Sequence, residues 1–359
     1  MKNFGVRSNA AEVTFKNVTK IYGQQSVAVD DISFHVKAGE LITLLGPSGC
    51  GKTTTLRMIA GLEAVSKGKI IIGGNDVTHH PASDRDVSMV FQSYALFPHK
   101  TVFENVCYGL VFSGYSKSDA EDKARSGLEL VGLEHLTSRY PSELSGGQQQ
   151  RVAVARALVL EPQVLLFDEP LSNLDAKLRR SVRDEIRDLQ QRLNLTVVYV
   201  THDQEEALAV SDQIIVMENG KISQIGSPRD LYERPKSLFV ANFIGDSNIL
   251  PCTVTGSKKS EKTIKIGTMN IKKKYITSAN GVASALIRPE HIRLHRSKKA
   301  SSLTGTIDKA TYVGSKIEYN VLTEIGVVFV VDLSDSVEFT VGQQVYIQLL
   351  AEKLNIYGT

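Results

Sequence analysis

A glycine-rich run with one lysine lies near residue 50 and has the residue types that bind phosphate. The run is Gly46, Pro47, Ser48, Gly49, Cys50, Gly51, Lys52 and Thr53, with Thr54 directly after it. Glycines let backbone N–H groups turn toward phosphate oxygens without a Cβ clash, and a following helix adds its positive N-terminal end. The run fits the P-loop pattern between a predicted strand, residues 41–45, and a helix from near Lys52. It predicts an ATP site in which Lys52 meets the β- and γ-phosphates and the Thr53 hydroxyl ligates Mg²⁺.

A second apolar run ends in two adjacent acids. Residues 164–167 read Val-Leu-Leu-Phe and are followed by Asp168 and Glu169. Open α/β sheets bind ligands at the carboxyl ends of their strands, where these carboxylates would emerge. We expect Asp168 to hold Mg²⁺, directly or through water, and Glu169 to polarise the attacking water as general base. The alternative, two solvated acids at a strand end, is less favoured beside a P-loop.

A five-residue string separates this chain from other nucleotide hydrolases. It consists of Leu144, Ser145, Gly146, Gly147 and Gln148 and opens a predicted helix that runs to residue 160. The N–H groups and dipole of that helix form a second anion site. A helix with an N-cap serine explains Ser145 but not the whole string in this order. The string resembles the signature motif of the ABC ATPases.

Other motifs of that family occur in the family's order between residues 13 and 243. The resemblance implies that Tyr22 stacks on adenine and that His202 is the switch histidine of the ATP site. It also implies that Gln92 lies in the loop that links Mg²⁺ and water to the transporter contact. Asp175 belongs to the loop that is expected to reach across a dimer.

The resemblance implies a composite catalytic site. One chain offers the P-loop with Gln92, Asp168, Glu169 and His202, while a second copy supplies Ser145 and its neighbours. Two ATP molecules would then be sandwiched head to tail in a homodimer. Opening and closing of the dimer would act on membrane permeases through the Gln92 loop and a helical insertion.

The element pattern predicts two domains. Residues 11–243 alternate strand-like and helical stretches, which predicts an α/β fold with a largely parallel sheet, the P-loop NTPase or RecA-like core. Between about residues 96 and 157 no good strand occurs, and this part predicts a helical subdomain that includes helices over 119–131 and 148–160. Residues 245–359 consist of short β-rich runs and predict a small all-β, OB-like domain.

The second domain indicates a branch of the family. Residues 286–292, Leu-Ile-Arg-Pro-Glu-His-Ile, look like part of the TOBE-type regulatory domain of bacterial import ATPases. Such proteins work at the cytoplasmic face of the inner membrane with two permeases and a substrate-binding protein. The sequence of residues 245–250 slightly favours the ferric iron, polyamine or phosphonate importers within this branch. Ferric iron is the first expectation, with polyamine or phosphonate as the alternative.

Composition limits the other classes of function. The net charge of +3 does not by itself indicate nucleic acid. The lysines around residues 258–274 alternate with isoleucine and predict a solvated hairpin face, so we expect no direct contact with nucleic acid. A soluble ABC protein acting on nucleic acid or ribosomes, and a nucleotide-binding regulator without turnover, remain alternatives.

Cysteine and hydropathy patterns add two further limits. Three isolated cysteines, Cys50, Cys107 and Cys252, support neither a disulfide framework nor a zinc site, and the pair His79-His80 lacks a third metal ligand. No apolar run reaches the roughly 18 residues of a membrane-spanning helix, so the chain is expected in the cytoplasm.

Overall fold

The structure is a computed structural model that describes residues 9–23, 25–256, 261–274, 280–333 and 338–358. The chain divides by its internal contacts into two compact units, with the division between Arg229 and Asp230. The boundary expected from the sequence, near residues 243–245, stays a prediction about functional domains.

The N-terminal unit contains both strands and helices. Its strands are β1 (Val13–Tyr22), β2 (Ser26–Val36), β3 (Leu41–Leu45), β4 (Lys67–Ile72), β5 (Asn75–Asp76), β6 (Val87–Val90), β7 (Val164–Asp168), β8 (Val197–Thr201), β9 (Gln213–Glu218) and β10 (Lys221–Gly226). Its helices are α1 (Lys52–Ala60), α2 (Val102–Phe112), α3 (Lys117–Leu130), α4 (Gly146–Leu158), α5 (Ala176–Leu193) and α6 (Gln204–Val210).

The central sheet has the order β10-β9-β3-β8-β7-β6. Its strands from β9 to β6 are parallel, and β10 adds to β9 in antiparallel fashion. The register pairs Leu45 with Thr201, Val200 with Asp168, and Phe167 with Val90. Strands β3, β8, β7 and β6 therefore end nearly level, and the loops that follow them emerge along one edge of the sheet.

Strands β3, β7 and β8 are mostly apolar because both faces of the sheet are covered. Every residue of these three strands is buried. Alternate residues face opposite layers: Leu44 and Leu166 join one hydrophobic cluster, and Leu165 and Phe167 join another. This burial on two faces is typical of parallel strands covered by helices. The α/β fold predicted for this part of the chain is confirmed.

A separate antiparallel sheet with the order β2-β1-β4-β5 also belongs to this unit, and the sequence pattern did not predict it. The stacked rings of Phe15 and Phe34, 4.4 Å between centroids, join β1 to β2 on the buried face. Tyr22 is the last residue of β1. This sheet therefore sets the position of the residue expected to stack on adenine.

The predicted helical insertion is present. Helices α2, α3 and α4 pack on one another through a cluster that includes Val106, Leu128 and Val152. The opposite face of α4, including Ala153 and Leu158, packs into the cluster beneath the central sheet. Helix α4 therefore belongs to both layers, and the string at its N-terminus is fixed to the insertion and to the sheet.

The C-terminal unit confirms the all-β prediction. Helix α7 (Pro228–Glu233) crosses the division, and α8 (Leu238–Phe243) follows it. The strands are β11 (Asn248–Thr255), β12 (Lys262–Ile266), β13 (Met269–Lys273), β14 (Gly281–Ile287), β15 (Ile292–His295), β16 (Leu303–Tyr312), β17 (Ile317–Thr323), β18 (Gly326–Asp332), β19 (Gln344–Leu349) and β20 (Asn355–Gly358). They form two five-stranded sheets, β13-β12-β11-β14-β20 and β15-β19-β16-β17-β18, around one hydrophobic core.

The lysine-rich hairpin of this unit differs from the solvated face that the sequence predicts. Residues 257–260, which include Lys258, lie outside the described residues. Lys262 is buried, and Lys273 donates hydrogen bonds to the carbonyl oxygens of Ala351 and Glu352 at 3.0 and 3.2 Å. Burial lowers the pKa of Lys273. Part of the lysine content therefore holds the C-terminal segment together, and the prediction was wrong for these two positions.

Candidate functional site

The phosphate loop lies between β3 and α1 and is held by its own lysine. Lys52 is buried, and its Nζ atom donates to the carbonyl oxygens of Gly46 and Pro47 at 2.7 and 2.9 Å. A lysine ammonium carries three donors and no acceptor. The carbonyl oxygens of the loop therefore surround a single positive charge, and the contact of Lys52 with phosphate stays a prediction.

Two glycines of the loop have no room for a side chain. A Cβ atom at Gly46 would lie 2.4 Å from the carbonyl oxygen of Met217 and 2.6 Å from Sγ of Cys50. Gly51 caps α1 with φ 100°, and a Cβ atom there would lie 2.5 Å from the carbonyl oxygen of Ala28. Both positions require glycine because backbone carbonyl oxygens of β9 and β2 lie close against the loop.

Cys50 fills the inner side of the loop. The thiol is buried, and burial raises its pKa although Lys52 acts in the opposite direction. A thiol with a raised pKa holds its proton and is a poor nucleophile. The side chain therefore fills space inside the loop.

The first acid of the β7 pair meets the first turn of α1. The hydroxyl Oγ1 of Thr53 lies 3.3 Å from Oδ1 of Asp168. Burial raises the pKa of Asp168, and Arg57 and the Thr53 hydroxyl counteract that rise. Hydroxyl and carboxylate oxygens are the donors that Mg²⁺ prefers, and Mg²⁺ takes few protein ligands when phosphate and water complete its shell. The two residues therefore fit a magnesium ion at the end of the phosphate loop.

The second acid pairs with the histidine that follows β8. The Nδ1 atom of His202 lies 3.0 Å from Oε2 of Glu169, and the imidazole is 60% exposed whereas the Glu169 side chain is 23% exposed. The backbone of Glu169 has φ 47°, a strained conformation for a residue with a side chain. Its N–H donates to Val200 O at 3.0 Å, and Ser172 Oγ donates to its carbonyl oxygen at 3.0 Å. These bonds hold the strained turn and aim the carboxylate along the edge of the sheet.

A buried network supports the residue before His202. Thr201 Oγ1 accepts from the N–H of Asp203 at 3.0 Å and donates to Oε2 of Glu206 at 2.6 Å. The hydroxyl of Tyr199 donates to the other oxygen of Glu206. Burial raises the pKa of Glu206. This side chain was not singled out from the sequence, where it is one of two adjacent glutamates with no distinguishing signal.

The glutamine loop follows β6. Gln92 is exposed, and its carbonyl oxygen accepts from Nδ2 of Asn173 at 3.0 Å. Beyond it, Tyr94 and Ala95 have φ of 60° and 48°, and their carbonyl oxygens accept from Arg156 of α4 at 2.9 and 2.7 Å. The loop is thus tied to α4 and to the turn that follows Glu169.

The signature string forms the start of α4. Ser145 is the N-cap: its Oγ accepts from the N–H of Gln148, and its own N–H donates to the Gln148 side chain at 2.9 Å. A Cβ atom at Gly146 would lie 3.0 Å from Leu174, and one at Gly147 would lie 2.9 Å from Leu178. The glycines therefore let α4 pack closely on α5 and on the turn before it, while Ser145 stays exposed.

Asp175 and Tyr22 have contacts that the sequence did not predict. The Asp175 carboxylate caps α5 and accepts from the N–H groups of Lys177 and Leu178 at 3.1 and 3.0 Å. The Tyr22 ring is 41% exposed, and the ammonium of Lys20 lies 4.7 Å from its centroid. Asp175 therefore has a structural task within its own chain, and Tyr22 keeps an open ring face.

His79 and His80 are both exposed. Within the ranges that the structure describes, no group of three His, Cys, Asp or Glu side chains has the arrangement of a metal site.

Sequence comparison places these features in a known family. A family profile described as "ABC transporter" matches residues 29–172, and one described as "TOBE domain" matches residues 285–355. The "Fe(3+) ions import ATP-binding protein FbpC" of Brucella abortus (strain 2308) is 57% identical over 320 residues, 89% of this chain and 90% of the relative. The protein of the same name from Escherichia coli O157:H7 is 50% identical over 309 residues, 86% and 87% of the two chains.

A solved structure gives the same result for the N-terminal part. The "Dimeric structure of a post-hydrolysis state of the ATP-binding cassette MJ0796 bound to ADP and Pi" is 33% identical and superposes with a TM-score of 0.54. It covers 60% of this chain and 99% of its own. With a phosphate loop, a carboxylate pair, a signature helix and close relatives over most of its length, the chain belongs to the ABC transporter family.

Proposed function

We propose that this chain is the ATP-hydrolysing, energy-coupling subunit of an importer of ferric iron. The observation that carries the proposal is the meeting of the phosphate loop, Asp168, Glu169 and His202 at one edge of the central sheet. The names of the FbpC relatives support the cargo, since the identity of 50 to 57% extends over most of the chain.

ATP binds first through its triphosphate. Lys52 exchanges its contacts with Gly46 O and Pro47 O for phosphate oxygens, and the N–H groups of the loop donate to the same anion. Thr53 and Asp168 would hold Mg²⁺, which neutralises charge that develops on the phosphates. Tyr22 offers an exposed ring to the adenine.

Hydrolysis then depends on the pair after β7 and β8. Glu169 accepts a proton from the water that attacks the γ-phosphate, and the strained turn fixes the direction of its carboxylate. His202, exposed on the phosphate side, donates to the γ-phosphate when it exchanges its contact with Glu169. Phosphoryl transfer requires little more of a protein than positioning and charge stabilisation.

A second copy of the chain completes the site. The exposed Ser145 and the N-terminus of α4 form an anion site that is fixed to α5 by Gly146 and Gly147. Head-to-tail pairing would place it on the γ-phosphate bound by the partner. The dimeric, ADP- and Pi-bound state named for the similar structure supports this arrangement.

The helical insertion offers a surface for the membrane partners. Tyr108, Val111 and Phe112 on α2 are 45%, 59% and 86% exposed, an unusual concentration of large apolar side chains on one helix. Two permease subunits would cover it and place the chain on the cytoplasmic face of the inner membrane. In the described part of the chain no helix is long and apolar enough to cross a membrane. A substrate-binding protein outside the membrane would select the cargo.

A paired measurement tests the proposal. Cells that lack this chain are expected to lose uptake of ⁵⁵Fe(3+), to keep uptake of radiolabelled spermidine and phosphonate, and to recover iron uptake with the wild-type chain but not with Glu169→Gln. Loss of polyamine or phosphonate uptake instead would show that this compound, and not ferric iron, is the cargo. Normal uptake of all three would contradict the proposed role in import.

A further inference from the structure

The turn Ser172–Asp175 is tied to three loops of the site. Ser172 donates to the carbonyl oxygen of Glu169, and Asn173 donates to that of Gln92, each at 3.0 Å. The carbonyl oxygen of Leu174 accepts from Nη2 of Arg179 at 3.0 Å. The turn therefore contacts Glu169, the glutamine loop and, through Arg179, a third partner.

That third partner is the residue beside the switch histidine. Nη1 of Arg179 lies 3.2 Å from Oδ2 of Asp203, which directly follows His202. The other oxygen of Asp203 accepts from the N–H of Glu206 at 3.0 Å and caps α6. One guanidinium thus spans the turn before α5 and the loop before α6.

The chemistry of this contact suits a rigid link. A guanidinium is planar and presents its donors in a fixed fork, so two acceptors bound to it are held at a set separation. Helical side chains point back toward the preceding turn, which explains how Arg179 reaches Leu174 from the first turn of α5. The side chain is 34% exposed and its partner 28%, so solvent only partly screens the pair.

We propose that Arg179 is a positioning residue for His202. It fixes the loop that carries His202 to the Ser172–Asp175 turn, so that a displacement of the turn is passed to the histidine. Asn173 passes the same displacement to Gln92. Because Asn173 and Asp175 are exposed, contact made with this turn from outside the chain would adjust the histidine and the glutamine loop together. The inference rests on the proposed hydrolysis at this site.

Three variants of the full-length chain test the link. Arg179→Met removes both hydrogen bonds and keeps the aliphatic stem, Arg179→Lys can satisfy one acceptor at a time, and Arg180→Met is a matched control at the next, exposed arginine. Steady-state phosphate release gives kcat and KM for ATP, equilibrium binding of a fluorescent ATP analogue gives affinity, and the thermal transition reports folding.

We expect Arg179→Met to lower kcat about tenfold, with ATP affinity and KM within about twofold of wild type, since couplings through such contacts reach this size. The kcat of Arg179→Lys should lie between those of Arg179→Met and the wild type, and the kcat of Arg180→Met should match that of the wild type. If Arg179→Met does not fold, the kcat of Arg179→Lys decides alone. A purely structural role would lower the thermal transition and leave kcat unchanged, which would overturn the proposal.

A double-mutant cycle with Asp203→Asn checks the route, because asparagine still caps α6. If Arg179 acts through Asp203, the double variant loses no more kcat than Arg179→Met. Losses that multiply would show that Arg179 acts elsewhere and would overturn the proposed link. A wild-type chain without ATPase activity would instead contradict the proposed function, so the two failures are distinguishable.

Discussion

The Nδ1 atom of His202 lies 3.0 Å from Oε2 of Glu169, although 32 residues separate them in the chain. They meet because β7 and β8 are neighbours in the sheet and their register brings Asp168 beside Val200. In the proposed mechanism both groups act on the γ-phosphate, and the contact would hold them together before ATP binds.

Glu169→Gln should lower the rate of phosphate release by about 100-fold or more, since the amide cannot accept the proton of the attacking water. ATP affinity should stay close to that of wild type because Lys52 and the loop are unchanged. A malachite-green assay and equilibrium ATP binding measure the two quantities. Glu134→Gln, at an exposed site outside the active centre, is the control. Hydrolysis that persists in Glu169→Gln would refute the assignment of the base.

Gly51→Ala should destroy the phosphate loop. The new Cβ atom would lie 2.5 Å from Ala28 O at a φ of 100°, so both a clash and backbone strain arise. Overpacking costs about 1–3 kcal/mol and left-handed strain about 1–2 kcal/mol. Gly74→Ala is the matched control, because it has φ 82° and open space around it. Urea denaturation should show the larger loss of stability for Gly51→Ala, and only this variant should lose ATP binding. Equal effects of the two substitutions would contradict the predicted clash.

Ser145→Glu should prevent ATP-dependent dimerisation, because a carboxylate at the start of α4 repels the γ-phosphate of the partner. The test uses the Glu169→Gln background with ATP and Mg²⁺, and multi-angle light scattering gives the mass. Ser116→Glu is the control, since Ser116 also caps a helix, α3, through Asp119 N at 3.1 Å. If the Glu169→Gln chain with unchanged Ser145 stays monomeric with ATP and Mg²⁺, the proposed composite site is contradicted.

Glu206→Gln should change how stability depends on pH. Burial raises the pKa of Glu206 above the ordinary value of 4.5, so the folded chain binds a proton that the unfolded chain releases. The wild type therefore loses stability as the pH rises from 4.5 to the raised pKa, by at most about 1.4 kcal/mol per pH unit. The glutamine variant lacks this loss. Denaturant unfolding at a series of pH values from 4.5 upward should show a free-energy difference between the two chains that grows until the pH passes the raised pKa of Glu206. Exposed Glu205→Gln is the control. A difference that stays constant from pH 4.5 upward would refute the prediction.

Arg288→Met should unfold the C-terminal unit at lower temperature. The buried guanidinium donates to the carbonyl oxygens of Ala241, Gly245 and Asp246 at 2.8, 2.9 and 3.0 Å. Loss of three hydrogen bonds from a buried charged group, among them the buried one to Ala241, should cost about 3–5 kcal/mol. Calorimetry measures the shift. Arg293→Met is the control, because Arg293 is exposed and donates to Glu290 O at 2.8 Å. Equal stability of the two variants would contradict the role of Arg288.

The hairpin at Asn219 and Gly220 shows where local sequence is sufficient. Both residues have positive φ, 49° and 78°, and they join β9 to β10 as the Asn-Gly pair predicts. The buried strands β3 and β7 and the helix α5 were predictable for the same reason, since an apolar pattern or a helical period is a property of neighbouring residues.

The lysine-rich hairpin shows where local sequence fails. Alternation with isoleucine predicts lysines in solvent, yet Lys273 is drawn inward by carbonyl oxygens some 80 residues further along the chain, at Ala351 and Glu352. Arg179 is similar, because its two acceptors, at Leu174 and Asp203, come from different loops. No pattern around either residue carries that information.

The sequence by itself determined the phosphate loop, the carboxylate pair, the signature string and the alternation of strands and helices, because glycine conformations and hydrophobic periods are local. The tertiary structure decided that Glu169 contacts His202, that Thr53 contacts Asp168, and that Arg179 joins two loops. Those contacts depend on strand order and register, which are set by how distant strands bury their side chains against one another.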